Sequence, residues 1–169
     1  MKTMLERPLY RARQFFGALR PAVRPAEIRE AEAVVGTRLA PLFTSMSDPD
    51  RRHCLDVYEE VRATGCEDTE VLIVALLHDL GKGLLAGAEI RLWHRVAYVL
   101  LENAPESTMR SACKQIPGIA TLRDHGARGV ELAEEFGASP GVISLLRALG
   151  DDNSTDERAA LLRAADDKA

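Results

Sequence analysis

His78-Asp79 closes an unbroken apolar run, Val71-Leu72-Ile73-Val74-Ala75-Leu76-Leu77, and leads directly into Leu80-Gly81-Lys82-Gly83. An imidazole and a carboxylate side by side against a greasy segment need a partner, because a buried charge is costly unless it is paired, hydrogen-bonded or bound to a metal. Imidazole nitrogen with carboxylate oxygen is an ordinary mixed donor set for divalent ions. Without an ion, the same pair reads as a helix end, with His complementing the dipole and Asp capping locally. The first reading requires further ligands. Only four histidines are present, His53, His78, His94 and His125. His53 lies early in the segment preceding the apolar run, so two antiparallel helices would set it beside His78 and Asp79. A fourth ligand must come from afar. Asp166 follows the apolar Leu161-Leu162-Arg163-Ala164-Ala165, with Asp167 as a chemically equal alternative.

The elements that must position these groups read as helices, and no alternating strand pattern appears. Residues 5–19 carry Leu5, Leu9, Ala12, Phe15, Phe16 and Leu19 at helical spacing, with arginines opposite. That pattern predicts a docking helix with a solvated basic face; a nucleic-acid or self-association surface is the alternative. Pro25-Ala26-Glu27 predicts a second helix, running to about Leu39, with Pro41 as its break. Ser47-Asp48-Pro49-Asp50 caps a third, which holds His53 and ends near Thr64-Gly65. Asp68 or Thr69 starts the apolar run. It is read as a central helix rather than a buried strand, because capping residues precede it and Gly81 suits a helix end. Further helices are predicted at about 87–101, 128–136, 140–149 and 155–167, the last capped by Ser154 or Thr155. Trp93, Tyr98 and Leu101 are expected in the core, and His94 as a polar residue beside the only tryptophan.

Composition narrows the classes. A chain of 169 residues with 46% apolar and 28% charged residues suits one soluble domain with an ordinary core. The net charge of −4 argues against nucleic acid as a general partner. No apolar stretch approaches membrane-spanning length, and Arg11, Arg13 and Arg20 interrupt any secretory core near the start. Cys54, Cys66 and Cys113 are odd in number and form no CxxC pair. They fit a reducing cytoplasm and offer neither a disulfide framework nor a zinc knuckle. Gly81-Lys82-Gly83 lacks the spacing and the trailing Ser or Thr of a phosphate-binding loop.

At this point the chain resembles the HD superfamily of metal-dependent phosphohydrolases, as a small bacterial member. The family pattern H…HD…D reads here as His53, His78-Asp79 and Asp166. Arg52-His53-Cys54-Leu55-Asp56-Val57 is similar to its first motif, and Ala75-Leu76-Leu77-His78-Asp79-Leu80-Gly81-Lys82 to its "ALLHDxGK". His125-Gly126-Ala127-Arg128-Gly129-Val130-Glu131-Leu132 resembles its "HxxxGAxLA". The likeness covers about residues 47–167.

The resemblance implies an all-α HD-domain helical bundle over 47–169, with residues 1–46 as N-terminal helices packing on that core. It implies a divalent ion (Mn, Fe, Co, Ni, Zn or Mg) held by His53, His78, Asp79 and Asp166. It further implies hydrolysis of a small phosphorylated, nucleotide-like substrate, with Asp79, Lys82 and His125 at the reacting centre. Relatives with two metals carry additional histidines. Arg147-Ala148-Leu149-Gly150-Asp151 stands where one would fall, so a single ion is expected, with Asp151 or Asp152 as the substitutes at hand. The competing expectation is a non-catalytic HD module serving as a metal or nucleotide sensor or an interaction domain; a homo-oligomer is open under either.

Overall fold

The computed structural model describes residues 23–87 and 90–169. Among these, eight α-helices and two short 3-10 turns occur and no strand, so the architecture is all-α. The helices are α1 (Pro25–Ser45), α2 (Asp48–Ala63), α3 (Thr69–Leu77), α4 (Leu92–Leu101), α5 (Glu106–Gln115), α6 (Pro117–Glu135), α7 (Pro140–Leu149) and α8 (Glu157–Asp166). The 3-10 turns, Leu80–Lys82 and Leu84–Ala86, lie between α3 and α4. The helix predicted over residues 5–19 falls outside the described residues.

Organisation follows from α3. Its residues Val71, Val74, Ala75, Leu76 and Leu77 are buried on every side, which places a helix inside a bundle rather than on its surface. It packs against α1, α2, α7 and α8. The apolar run is thus a helix, started by Asp68, whose carboxylate accepts from Glu70 N at 2.9 Å and Val71 N at 3.3 Å. Ala31, Val35, Leu39, Leu42 and Phe43 of α1 enter the same core as Val57 and Val61 of α2, Leu145 of α7 and Leu162 of α8. Burial of each such large side chain contributes about 1.5–3 kcal/mol. α6 forms the other side, against the 3-10 turns, α4, α5 and α7.

Several expected boundaries move, each for a physical reason. α1 continues through Pro41 to Ser45, and its break falls at Gly36, where φ is 78°. That left-handed backbone suits glycine and strains other residues. Pro41 comes early in the segment after that break and is accommodated there. α4 begins at Leu92 rather than Gly87, because the chain first makes its 3-10 turns. The stretch between 102 and 127, for which no helix is predicted, contains α5 and the first half of α6. Pro117 starts α6 as a first-turn proline, and Gly126 is carried inside it. The cap of α8 is Asp156, accepting from Arg158 N at 2.8 Å, rather than Ser154 or Thr155. Trp93 is 51% exposed and not in the core. His94 is buried, its Nδ1 accepting Arg91 N–H at 2.9 Å.

Gly81 does not act as a helix-ending glycine. It lies in the first 3-10 turn without positive φ. A Cβ there would stand 1.9 Å from the His125 carbonyl oxygen and 3.0 Å from Gly129 N. The close crossing of this turn over α6 therefore demands glycine, and it is what brings His125 to the end of α3. Among the described residues, no helix is long and apolar enough to cross a membrane.

Candidate metal centre

Four helix segments converge on the C-terminal end of α3. His53 comes from α2, one turn after Asp50. His78 and Asp79 follow the last turn of α3, His125 stands midway along α6 rather than at a helix start, and Asp166 ends α8. His53 Nε2 lies 2.7 Å from Asp166 Oδ1, and His78 Nε2 lies 3.8 Å from the same oxygen. The His53 and His78 rings meet edge to face with centroids 5.2 Å apart. Ligand atoms of His53, His78 and Asp166 all fall within 4.8 Å of one another, so this trio can hold a metal ion. Asp166, not the exposed Asp167, makes the contact.

Asp79 is placed at the edge of the trio. Its carboxylate is almost fully buried, with Oδ1 3.9 Å from both His78 Nε2 and His125 Nε2, and Oδ2 accepting from Lys82 Nζ at 2.7 Å. Lys82, which the resemblance puts at the reacting centre, is thus held inward, its side chain only 16% exposed. Asp151 and Asp152 do not line the cavity at this centre. Asp151 Oδ1 instead accepts from Asn153 N at 3.0 Å.

Backbone carbonyls fix both interior imidazoles. His78 Nδ1 donates to Ala75 O at 2.9 Å and His125 Nδ1 to Leu122 O at 2.7 Å. In its neutral form each ring then presents Nε2 as the acceptor on the side of the carboxylates, the tautomer a metal ligand or proton acceptor needs. His78 Nε2 is buried and has no hydrogen-bond partner. An orphaned buried nitrogen is rare and calls for an explanation such as an ion.

The electrostatics agree with that geometry. Burial opposes charge on His53, yet the hydrogen bond to Asp166 and the Asp79 charge outweigh it and raise its pKa. Asp166 is lowered despite its burial, by its bond to His53 and the nearby imidazoles. Burial likewise works against the Asp79 carboxylate, but Lys82 and three imidazoles hold it well below the usual range. Burial and the Lys82 charge push His125 down, keeping it neutral near neutral pH. Lys82 is raised against its burial by Asp79 and then Asp50.

These groups line a cavity of about 450 Å³, together with Gly126 of α6, Leu146, Leu149 and Gly150 at the end of α7, and Arg163. Three features here had no sequence warning. Asp50, read as an early helix acid, is buried and receives Arg95 Nη2 at 2.6 and 2.8 Å and the Ser47 hydroxyl at 2.6 Å. Arg163 ties α8 to the end of α7 through Ala148 O at 3.1 Å and Leu149 O at 3.3 Å. Gly126 faces the cavity from a helix interior. The first two depend on contacts remote in sequence, which periodicity does not report.

Comparison with known proteins yields no match to a family model, to a curated protein or to a solved structure.

Proposed function

We propose that the chain is a metal-dependent phosphohydrolase of the HD type, hydrolysing a phosphate ester at the cavity where α2, α3, α6 and α8 meet. The observation that carries this reading is His78 Nε2, a buried nitrogen without a hydrogen-bond partner, with carboxylate oxygens at 3.8 and 3.9 Å. Two imidazoles and a carboxylate within bonding reach of one point are an incomplete set for a transition-metal or magnesium-like ion, and Asp79 is the nearest completing oxygen. A divalent ion held there would acidify water and polarise a phosphoryl oxygen.

The chain's own groups have distinct tasks in this reading. His53, His78 and Asp166 would hold the ion, with Asp79 as the fourth donor, and a metal on His53 Nε2 would take the place of its contact with Asp166 Oδ1. Lys82 neutralises Asp79 and holds its Oδ2, leaving Oδ1 directed at the imidazoles. His125 is neutral and its Nε2 is free to accept a proton from water at the cavity wall, with Leu122 O anchoring the other nitrogen.

One observation favours a second reading, a metal- or nucleotide-sensing module without turnover. Both cationic side chains in the cavity are engaged: Lys82 on Asp79, and Arg163 on backbone carbonyls. Hydrolysis of a panel of phosphate monoesters and nucleotides separates the two, measured after loading with manganese, cobalt or nickel. The enzyme reading expects metal-dependent phosphate release that falls at least about 100-fold in Asp79→Asn. Tight metal binding with no release from any substrate would leave the sensor.

A further inference from the structure

The helix ends that wall the cavity are all of one kind. Its lining takes residues from the last turn or C-cap of α3, α7 and α8. His53 comes from well inside α2, and His125 and Gly126 from midway along α6. Among the described residues, none in the lining belongs to the first turn of an α-helix. A helix C-terminus carries a partial negative charge, and the backbone N–H groups that bind anions at a helix start are missing from this wall.

The side chains add to that field. Asp79, Asp166 and Asp167 line the cavity, against Lys82 and Arg163. Both cations are already engaged. Lys82 Nζ donates to Asp79 Oδ2 at 2.7 Å. Arg163 donates to Ala148 O at 3.1 Å, Leu149 O at 3.3 Å and Ser154 O at 3.4 Å, and so compensates the end of α7. A divalent ion and one phosphoryl dianion cancel in charge, which leaves the three carboxylates facing the two engaged cations. A second anionic group would therefore enter a cavity of net negative charge, with no uncommitted cation to receive it among the described residues.

We infer that the cavity takes phosphate monoesters whose remaining part is uncharged or cationic, and excludes substrates carrying a second anionic group, nucleoside di- and triphosphates and phosphorylated acids among them. The inference rests on the phosphohydrolase reading above. Of the three carboxylates, Asp166 contacts His53 and Asp79 is held by Lys82. The exposed Asp167 is the one left to act on the rest of the substrate, attracting an ammonium group and repelling a carboxylate or a further phosphate.

Calorimetric titration of the manganese-loaded full chain with three unhydrolysable probes of similar length tests this. They are propylphosphonate, aminoethylphosphonate and carboxyethylphosphonate, which end in a methyl, an ammonium and a carboxylate. The wild type should bind carboxyethylphosphonate at least about tenfold more weakly than propylphosphonate, and aminoethylphosphonate at least as tightly. Asp167→Asn should narrow the carboxylate gap about threefold and Asp167→Lys should close it, both with metal content unchanged. Lysine suits a helix C-terminus, so Asp167→Lys should keep the melting temperature. Equal affinity of the wild type for the carboxylate and methyl probes overturns the inference, as does a gap that Asp167→Lys leaves undiminished. Metal without binding of any probe, or no metal at all, overturns the phosphohydrolase reading itself and the selectivity with it.

Discussion

The two ends of α3 are both crowded with polar groups, yet only one end is complete. At the start, three helix N-termini meet: Asp68 caps α3, Ser139 caps α7 and Asp156 caps α8. Glu70 binds them together, accepting from Ser139 Oγ at 3.0 Å and Arg158 Nη1 at 3.2 Å. Every charge there is answered by a cap, a hydroxyl or a guanidinium. At the other end, about 13 Å along a nine-residue helix, His78 Nε2 is orphaned, imidazoles and carboxylates are pressed together, and a cavity opens. Satisfied polar clusters hold a fold. An unsatisfied one, kept despite its cost, points to something that binds there.

Glycine substitutions should separate the ends most sharply. A Cβ at Gly81 meets the backbone of His125 at 1.9 Å, and a Cβ at Gly141 meets Glu70 Oε1, also at 1.9 Å. Backbone cannot yield, whereas a carboxylate at the end of a flexible side chain can swing away. Gly81→Ala is expected to cost about 3–4 kcal/mol in denaturant unfolding, and Gly141→Ala less than about 1 kcal/mol.

Charge removal comes next. Asp79→Asn leaves the inward-held Lys82 ammonium without its carboxylate and should destabilise the metal-free protein by about 3 kcal/mol. Lys82→Met in the same background should restore part of that loss, and no recovery would refute the pairing.

The pH dependence of the metal-free protein should originate at the same end. His53 is raised above its ordinary 6.5, so its contribution is full below that pH and fades as pH rises through the folded value. Asp166 is lowered from 3.8, so its contribution is full above that pH and fades as pH falls through the folded value. The pair therefore supports stability most between about pH 4 and 6.5. Since the Asp166 side chain is 35% exposed, screening limits the effect to about 1 kcal/mol. Asp166→Asn should flatten both limbs of the unfolding free energy against pH.

The smallest effect belongs to the complete end. Glu70→Gln removes a partly exposed contact with Arg158 and should cost about 0.5 kcal/mol, with metal content unchanged. A large loss there would mean that the two ends are not as different as their hydrogen bonding indicates.

Legibility in the sequence followed locality. Ser47 and Asp68 announced the starts of α2 and α3 because a cap is a contact between near neighbours in the chain. His53, His78, Asp79 and Asp166 stood out because ionisable groups beside apolar runs need partners. α5 and the first half of α6 were hidden by Pro105, Pro117 and Gly126, whose tolerance depends on position within a helix. Arg95 on Asp50, Arg163 on the α7 carbonyls and the backbone crossing at Gly81 arise only once distant segments pack, so no local pattern encodes them.

Elemental analysis of the purified wild type beside His78→Ala and Glu70→Gln tests the central claim most directly. The account predicts about one transition-metal ion per chain in the wild type and in Glu70→Gln, and none in His78→Ala. Equal metal in all three proteins would contradict it, as would none in the wild type after incubation with manganese, cobalt and nickel.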